Sequence, residues 1–357
     1  MKFASIALSG LFIGFTAQID AFTLQSRGIS NGRQQQKQMA MSVTPMEETD
    51  SSSSSTSESP ISTGRSHAEI ANELSSGRIL EDGPVIDFGS IKDTTSRGER
   101  ALTQARDDYL SQVNSQGKDS VKLGFAGVGQ QRLMGINDEV VQEVGHEVGA
   151  FCSDDVKIQM CAKYLRSRAP KGMFEEHADA PVLSEEEMKS IDTSGLQGLV
   201  TEAYVESGVV TAAFAKTFYL GTQLLPEAAQ KAVWAIYVWC RRTDEIVDAP
   251  RMPEDVNMLT DLSAWEIRLE NLFRYGMVED VLDLPLLDCR INYPNLPIEP
   301  FVDMVRGMLM DIPDLGQERY DTFEELHLYC YRVAGTVGLM VMPVFGCAKG
   351  FTDAVAK

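Results

Sequence analysis

The feature that most restricts the fold of this chain is an apolar run with helical periodicity in its second half. The run reads KAVWAIYVWCRRTDEIVDAP, from Lys231 to Pro250. Pro226 suits the first turn of a helix, and Pro250 and Pro253 suit its end. Because a helix that is apolar nearly all round is buried in a larger protein, the run predicts a buried helix from Pro226 to about Val247.

Four polar residues break this apolar surface, at separations of 4, 3 and 4 residues: Tyr237, Arg241, Asp244 and Asp248. At about 100° per residue they form one narrow stripe. Asp244 and Asp248 repel each other at this spacing, and buried charges are costly unless they are paired or bound to a metal. Mg²⁺ would remove the repulsion, and Arg241 would contact a phosphate. The alternative is a solvated face on which Arg241 pairs with Asp244. The apolar surroundings favour the metal site.

The charge balance narrows the class of ligand. The chain has 52 acidic and 32 basic residues, a net charge of -20. This balance argues against nucleic acid as a partner, since such a partner needs an electropositive surface. An anionic substrate stays allowed, because metal ions can bridge a diphosphate to carboxylates. The 6 cysteines and 4 histidines show neither a disulfide framework nor the spacing of a zinc site.

Two runs resemble a known family. They are AKTFYLGTQLLPEAAQKAVWAIYVWCRRTDEIVD, from Ala215 to Asp248, and YCYRVAGTVG, from Tyr329 to Gly338. Both resemble the squalene/phytoene synthase family, and the AKTFYLGT wording is most similar to phytoene synthases of plants and algae. The helical segments Ala264–Arg274 and Pro300–Asp311 follow the same pattern. The resemblance extends from about Val200 to Cys347.

The resemblance implies an all-α isoprenoid synthase bundle, with helices around a deep apolar cavity and acidic motifs near its mouth. It implies a transferase that condenses two geranylgeranyl diphosphates head to head, through prephytoene diphosphate, to phytoene in carotenoid biosynthesis. The implied cofactor is Mg²⁺, with Mn²⁺ as a substitute. Squalene synthase is the alternative among enzymes. Besides geranylgeranyl diphosphate, the expected partners are a plastid membrane surface and other carotenoid-pathway enzymes.

The resemblance also implies roles for individual residues. Asp244 and Asp248 would hold the metal, and Tyr329 would stabilise a carbocation through its ring. Residues matching family positions that contact the diphosphate or the prenyl chain are Lys216, Thr217, Tyr237, Arg241, Val333, Val337 and Gly338. Ala215 stands where bacterial relatives have serine, which removes one contact. For Gly335 and Gly338, helix packing is the alternative role. Asp303 and Asp311 are interpreted as surface acids.

The family carries a second aspartate-rich motif of the type DxxED, and no such motif follows Gly346 in this sequence. The bundle is therefore expected to be incomplete in this chain. Two hypotheses follow. The first is an active synthase whose C-terminal part lies outside this sequence. The second is a catalytically inactive protein that binds prenyl diphosphates or regulates an intact synthase.

The N-terminal region predicts targeting to a plastid through a two-part leader. Phe3 to Ala17 is a short apolar run, and Ala21 to Met46 contains no acidic residue. Residues 51–55 are all serine, which indicates a disordered linker. The predicted organisation is a signal peptide (1–21), a transit peptide (22–46), a linker (47–68), a helical N-terminal extension (69–199) and the first part of the catalytic domain (200–357).

Local patterns in the extension predict helices at Ala101–Val113, Glu139–Phe151 and Leu183–Ile191, and a loop at Gly124–Gly135. Ser184 is predicted to cap the third helix, because a serine before acidic residues suits a helix N-terminus. Thr322 and Glu325 predict a capping box for a long helix from Leu326 to Gly346.

Overall fold

The computed structural model describes residues 95–121, 123, 155–248, 257–312, 315, 320 and 322–346. These residues form helices and turns, with no strand among them, which confirms the predicted all-α class. The helices are α1 (Thr95–Gln116), α2 (Asp155–Arg168), α3 (Glu185–Ser190), α4 (Thr193–Phe214), α5 (Lys216–Thr222), α6 (Glu227–Asp248), α7 (Met258–Tyr275), α8 (Leu284–Asn292), α9 (Glu299–Leu309), α10 (Phe323–Cys330) and α11 (Thr336–Phe345).

The predicted apolar helix is α6, and it lies at the centre of the described core. Its neighbours are α4, α7, α8, α9 and α11. Every residue from Ala232 to Cys240 is buried, as expected for a helix that is apolar on nearly all sides. The site stripe therefore belongs to an element whose position is fixed by packing on several sides.

A glycine sets the distance between α4 and α6. A Cβ added at Gly208 would lie 2.9 Å from the Trp234 ring, so only glycine fits at this contact. The Trp234 indole N–H donates to Thr222 Oγ1 over 2.8 Å, which ties α5 to α6 as well. The short helix α5 is thus held beside the stripe by an aromatic side chain.

The predicted helix caps are present. Ser184 forms a capping box with Glu187, and the Thr322 side chain accepts the backbone N–H of Glu325 over 3.2 Å. The predicted helix at 139–151 and the predicted loop at 124–135 lie outside the described residues. So does the leader at 1–68.

The long helix predicted from Leu326 to Gly346 contains a π-turn, Tyr331–Gly335, between α10 and α11. The Thr336 N–H donates to the Tyr331 carbonyl, the i→i+5 pattern of a π-helix. Residues spaced by four overshoot a 3.6-residue turn by about 40° per step. The wider turn takes up part of this, so it brings Tyr329, Val333 and Val337 closer to one line.

The run Phe323–Phe345 has the length and apolar composition that would suffice for a membrane crossing, although only 28% of its most apolar stretch is buried in the protein. Buried helices and signal sequences meet the same criteria, so composition alone does not assign it to a membrane.

Helix α1 joins the same core as the family-like region. Leu102 and Tyr109 belong to the main core cluster, and Arg106 pairs with Glu266 and Glu270 on α7 at 3.4 and 2.5 Å. The predicted boundary at residues 199 and 200 lies within α4. The division into extension and catalytic domain stays a prediction.

Candidate active site

The predicted stripe on α6 brings Arg241 and Asp244 into contact. Arg241 Nη1 lies 2.8 Å from Asp244 Oδ2, and the guanidinium also pairs with Glu245. Its Cζ lies 4.6 Å from the centre of the Phe214 ring. The side chains of Arg241 and Asp244 are each 16% exposed. The pairing that the solvated-face alternative expected does occur, but in a sheltered position against an aromatic ring.

The second aspartate of the stripe acts on the first through its charge. Burial raises the pKa of Asp244, the negative charge of Asp248 raises it further, and Arg241 partly opposes both. Two like charges on a partly buried surface are the condition that a divalent cation would relieve.

The residues present fit a metal that shares its ligands with a substrate. Among the described residues, no group of three or more His, Cys, Asp or Glu side chains is placed to hold a metal ion. Asp244 and Asp248 would contribute two carboxylates. This is the usual protein share for Mg²⁺, which takes its other ligands from water and substrate phosphates.

Tyr237 and the start of α5 lie on the same side of α6. Tyr237 is buried, its ring stacks on Phe218 at 5.4 Å between centroids, and burial raises its pKa. Lys216 and Thr217 are exposed in the first turn of α5, just before Phe218. The Phe218–Tyr237 contact therefore places this predicted phosphate patch beside the stripe.

Tyr329 faces a carboxylate that sequence reasoning did not select. Its hydroxyl donates to Asp311 Oδ2 over 3.2 Å. Burial raises the pKa of Asp311 to about 6, and the charges of Asp248 and Asp244 raise it further, against the Tyr329 hydrogen bond. Burial, Asp311 and Asp244 also raise the pKa of Tyr329. We call Asp244, Asp248 and Asp311 the acidic cluster; Tyr329 lies beside it.

The interpretation of Asp311 as a surface acid was incomplete. The residue does reach solvent, but its carboxyl lies among protein groups and interacts with both aspartates of the stripe. The available signal was its spacing. Asp303, Gly307 and Asp311 recur every four residues and so share one side of α9 and the turn after it.

The residues proposed to touch a prenyl chain differ in their surroundings. Val333 and Val337 are each 4% exposed and belong to the core. A Cβ added at Gly307 would lie 3.2 Å from Val333 Cγ2, so Val333 packs against α9. A Cβ at Gly338 would meet nothing within 4 Å, so that position faces open space. A Cβ at Gly335 would approach the Tyr331 ring, 3.2 Å away.

A different face of α6 carries a second charged cluster. Arg242 Nη2 lies 2.5 Å from Asp280 Oδ2, and Arg268 Nη2 lies 2.7 Å from Asp283 Oδ2. Both guanidinium carbons lie near the Trp265 ring, 4.8 and 5.1 Å from its centre. Burial alone would raise the pKa of Asp280, but the two arginines outweigh it and hold this pKa below its usual range. We call Arg242, Arg268, Asp280 and Asp283 the buried ion network.

Comparison with known proteins identifies the region that carries the acidic cluster. The profile of the squalene/phytoene synthase family matches residues 211–356. This segment belongs to the squalene/phytoene synthase family. All the predicted site residues, from Lys216 to Gly338, lie within it, as do Asp311 and the buried ion network.

Relatives of the squalene/phytoene synthase segment are named phytoene synthases. The 15-cis-phytoene synthase of Synechococcus elongatus is 58% identical over 147 residues, which are 41% of this chain and 46% of the relative. The chloroplastic phytoene synthase of Cucumis melo is 53% identical over 154 residues, 43% of this chain and 35% of the relative. Chloroplastic phytoene synthase 1 of Arabidopsis thaliana is 51% identical over 164 residues, 45% of this chain and 37% of the relative. The chain spans less than half the length of these three relatives.

A groove of about 510 Å³ lies elsewhere, between α1 and the start of α7. It is lined by residues such as Tyr109 and Leu259, and by none of the predicted site residues. The squalene/phytoene synthase site is therefore defined by the stripe on α6 and by the tyrosine that faces it, not by this groove.

Proposed function

We propose that this protein catalyses the head-to-head condensation of two geranylgeranyl diphosphates, through prephytoene diphosphate, to phytoene. One observation carries the proposal: Tyr329 and the Asp244–Asp248 pair meet at one acidic cluster within a segment 51–58% identical to three phytoene synthases. An aromatic ring beside a metal-binding carboxylate pair suits a reaction that expels diphosphate and forms carbocations.

Asp244 and Asp248 hold the substrate diphosphates, with Mg²⁺, or Mn²⁺ in its place, between carboxylate and phosphate oxygens. The bound metal neutralises the charge that develops on the departing diphosphate. Arg241, which already pairs with Asp244, adds bidentate contacts to phosphate. Tyr237 contributes its hydroxyl, and Lys216 and Thr217 contact phosphate oxygens from the start of α5.

The remaining predicted residues serve the prenyl chain and the cations. Tyr329 directs its ring toward the reacting carbons and stabilises positive charge there. The prenyl chain occupies the open space beside Gly338, near Val337. Val333 supports this surface from inside the core, where it packs against α9. An apolar wall keeps water from the carbocations.

We further propose that the protein acts in a plastid. Relatives whose names carry the word chloroplastic and the transit-like composition of residues 22–46 support this location. The product is a hydrocarbon, and the apolar run Phe323–Phe345 is only partly buried, which together support peripheral contact with a plastid membrane. Carotenoid-pathway enzymes that take phytoene from the membrane would be its partners.

The test is product formation by the full-length protein supplied with geranylgeranyl diphosphate and Mg²⁺, with extraction and chromatography of phytoene. Phytoene should form in wild type and should be lost in Asp244→Asn, while Asp107→Asn, at an exposed acid of α1, should match wild type. Retained turnover in Asp244→Asn would contradict the metal role.

The same preparation separates the alternatives. Squalene formed from farnesyl diphosphate, with no phytoene from geranylgeranyl diphosphate, would favour a squalene synthase. Calorimetric binding of geranylgeranyl diphosphate without any turnover would favour an inactive binding protein.

A further inference from the structure

Two tyrosine–aspartate pairs join the conserved-looking YCY run to α9 and the turn after it. The Tyr329 hydroxyl donates to Asp311 over 3.2 Å, and the Tyr331 hydroxyl donates to Asp303 over 3.1 Å. The two pairs have the same chemistry and nearly the same length. They differ in what surrounds the carboxylate.

Asp303 has a cation at hand. Its Oδ1 lies 3.7 Å from Arg306 Nη1, one turn along the same helix. Asp311 instead interacts with the negative charges of Asp244 and Asp248. A third carboxylate near two others works against folding, so its retention needs a purpose other than stability.

The backbone on both sides of the Tyr329–Asp311 bond is fixed. The Asp311 N–H donates to the Met308 carbonyl over 3.1 Å, in the turn that ends α9. At Gly307, an added Cβ would lie 3.0 Å from Arg332 Cβ and 3.2 Å from the Arg332 carbonyl carbon. The π-turn after Tyr329 is therefore pressed against α9, and the bond to Asp311 spans a defined gap.

We propose that Asp311 is a positioning residue for Tyr329, holding its ring toward Asp244 and Asp248 through the hydroxyl. Without this bond the tyrosine side chain would turn about χ1 and χ2 toward solvent, since its outer edge is not enclosed. The proposal rests on the proposed function for its catalytic consequence, but not for the contact itself.

The contact is tested without turnover. The probe is 3-fluorotyrosine placed at position 329 or 331 of the full-length protein, read by fluorine NMR. Asp311→Asn should shift or broaden the resonance at position 329 and leave that at 331 unchanged. Asp303→Asn should do the reverse. An unchanged resonance at 329 in Asp311→Asn would overturn the proposal.

The consequence for catalysis is tested by a double-mutant cycle in the phytoene assay. Asp311→Ala should lower kcat about ten- to a hundredfold, the value of a hydrogen bond to a charged group, with KM nearly unchanged. Asp311→Asn keeps an acceptor oxygen and should lie between. Tyr329→Phe should match Asp311→Ala, and adding Asp311→Ala to Tyr329→Phe should cost nothing further. The matched pair is Asp303→Ala and Tyr331→Phe, which should leave kcat near wild type.

The two readouts fail in different ways. If Asp311→Ala were no more harmful than Asp303→Ala in an active protein, the proposal would fall while the proposed function stood. If wild type made no phytoene, the proposed function would fall, and the fluorine shifts would still decide whether Asp311 orients Tyr329. Far-UV circular dichroism of each variant confirms that it is folded.

Discussion

Arg241 and Arg242 are neighbours in the chain, yet they serve two charged clusters of opposite character. Arg242 enters the buried ion network, where it and Arg268 meet Asp280 and Asp283. Arg241 lies at the acidic cluster, paired with Asp244 while Asp248 raises the pKa of that same carboxyl. One turn of α6 thus contributes to both.

The difference lies in the charge balance. In the buried ion network, cations and carboxylates are matched, and the arginines lower the pKa of Asp280 despite its burial. In the acidic cluster, burial and mutual repulsion raise the pKa values of Asp244 and Asp311. A balanced cluster holds helices together, and an unbalanced one is prepared for a cation that is not part of the chain.

The largest effect should come from breaking the balanced cluster. Arg268→Met leaves Asp280 and Asp283 buried with less compensation, so we expect a loss of about 3–5 kcal/mol in the free energy of unfolding. Urea denaturation followed by circular dichroism measures it. Arg241→Met is the matched control at the partly exposed cluster and should cost about 1 kcal/mol or less. Equal costs would remove the distinction between the two clusters.

The next effect concerns the contact that assembles the acidic cluster. Gly307→Ala places a Cβ against the Arg332 backbone, which cannot move aside easily, so we expect a loss of about 1–3 kcal/mol in unfolding free energy. Gly338→Ala points into open space and should be neutral or stabilising by up to about 1 kcal/mol. Thermal unfolding of both variants decides between them; a stable Gly307→Ala would show that α9 and the π-turn are not tightly packed.

A smaller effect should follow from filling the unbalanced cluster. Mg²⁺ or Mn²⁺ at about five times its Kd should stabilise the protein by about 1 kcal/mol, because it binds only the folded state. Asp248→Asn should abolish this gain, and Asp303→Asn should keep it. Differential scanning fluorimetry with and without the metal provides the measurement, and a gain that survives Asp248→Asn would place the cation elsewhere.

The smallest effect is a pH dependence. Because the pKa of Asp311 in the folded protein, about 6, lies above its ordinary value of 3.8, its ionisation opposes folding at neutral pH. Asp311→Asn should therefore raise the melting temperature of the metal-free protein at pH 7.5. The gain should shrink as the pH falls through 6 toward 4, where wild-type Asp311 becomes protonated. A gain that grew on acidification would reverse the sign and contradict this account.

Much of the scaffold follows from local sequence. The period of the apolar residues places α6 within one or two residues of its observed ends, and the caps at Ser184 and Thr322 follow from residue type. Such features depend on near neighbours in the chain, so a single sequence contains them. The stripe from Tyr237 to Asp248 follows in the same way from helix geometry.

The features that escaped sequence reasoning depend on contacts between distant segments. Asp311 appeared to be a surface acid because nothing near it in the chain reveals Tyr329 or Asp244. Gly307, rather than Gly335 or Gly338, makes the close helix contact, and only the three-dimensional packing distinguishes the three. The π-turn has no marker in residue type, since its YRVAG run is compatible with an α-helix.

The π-turn gives this chain an internal phase correction. Removing one residue between Tyr331 and Gly335 would let the segment rewind as α-helix, and everything after it would rotate by about 100° relative to α10. Met340, which is fully buried 3.6 Å from the Cys240 sulfur, would swing out of the core, while the residues before the deletion stayed in place. The segment can thus absorb many substitutions but no change in length, and its extra residue works as a vernier between the tyrosine and the core that supports it.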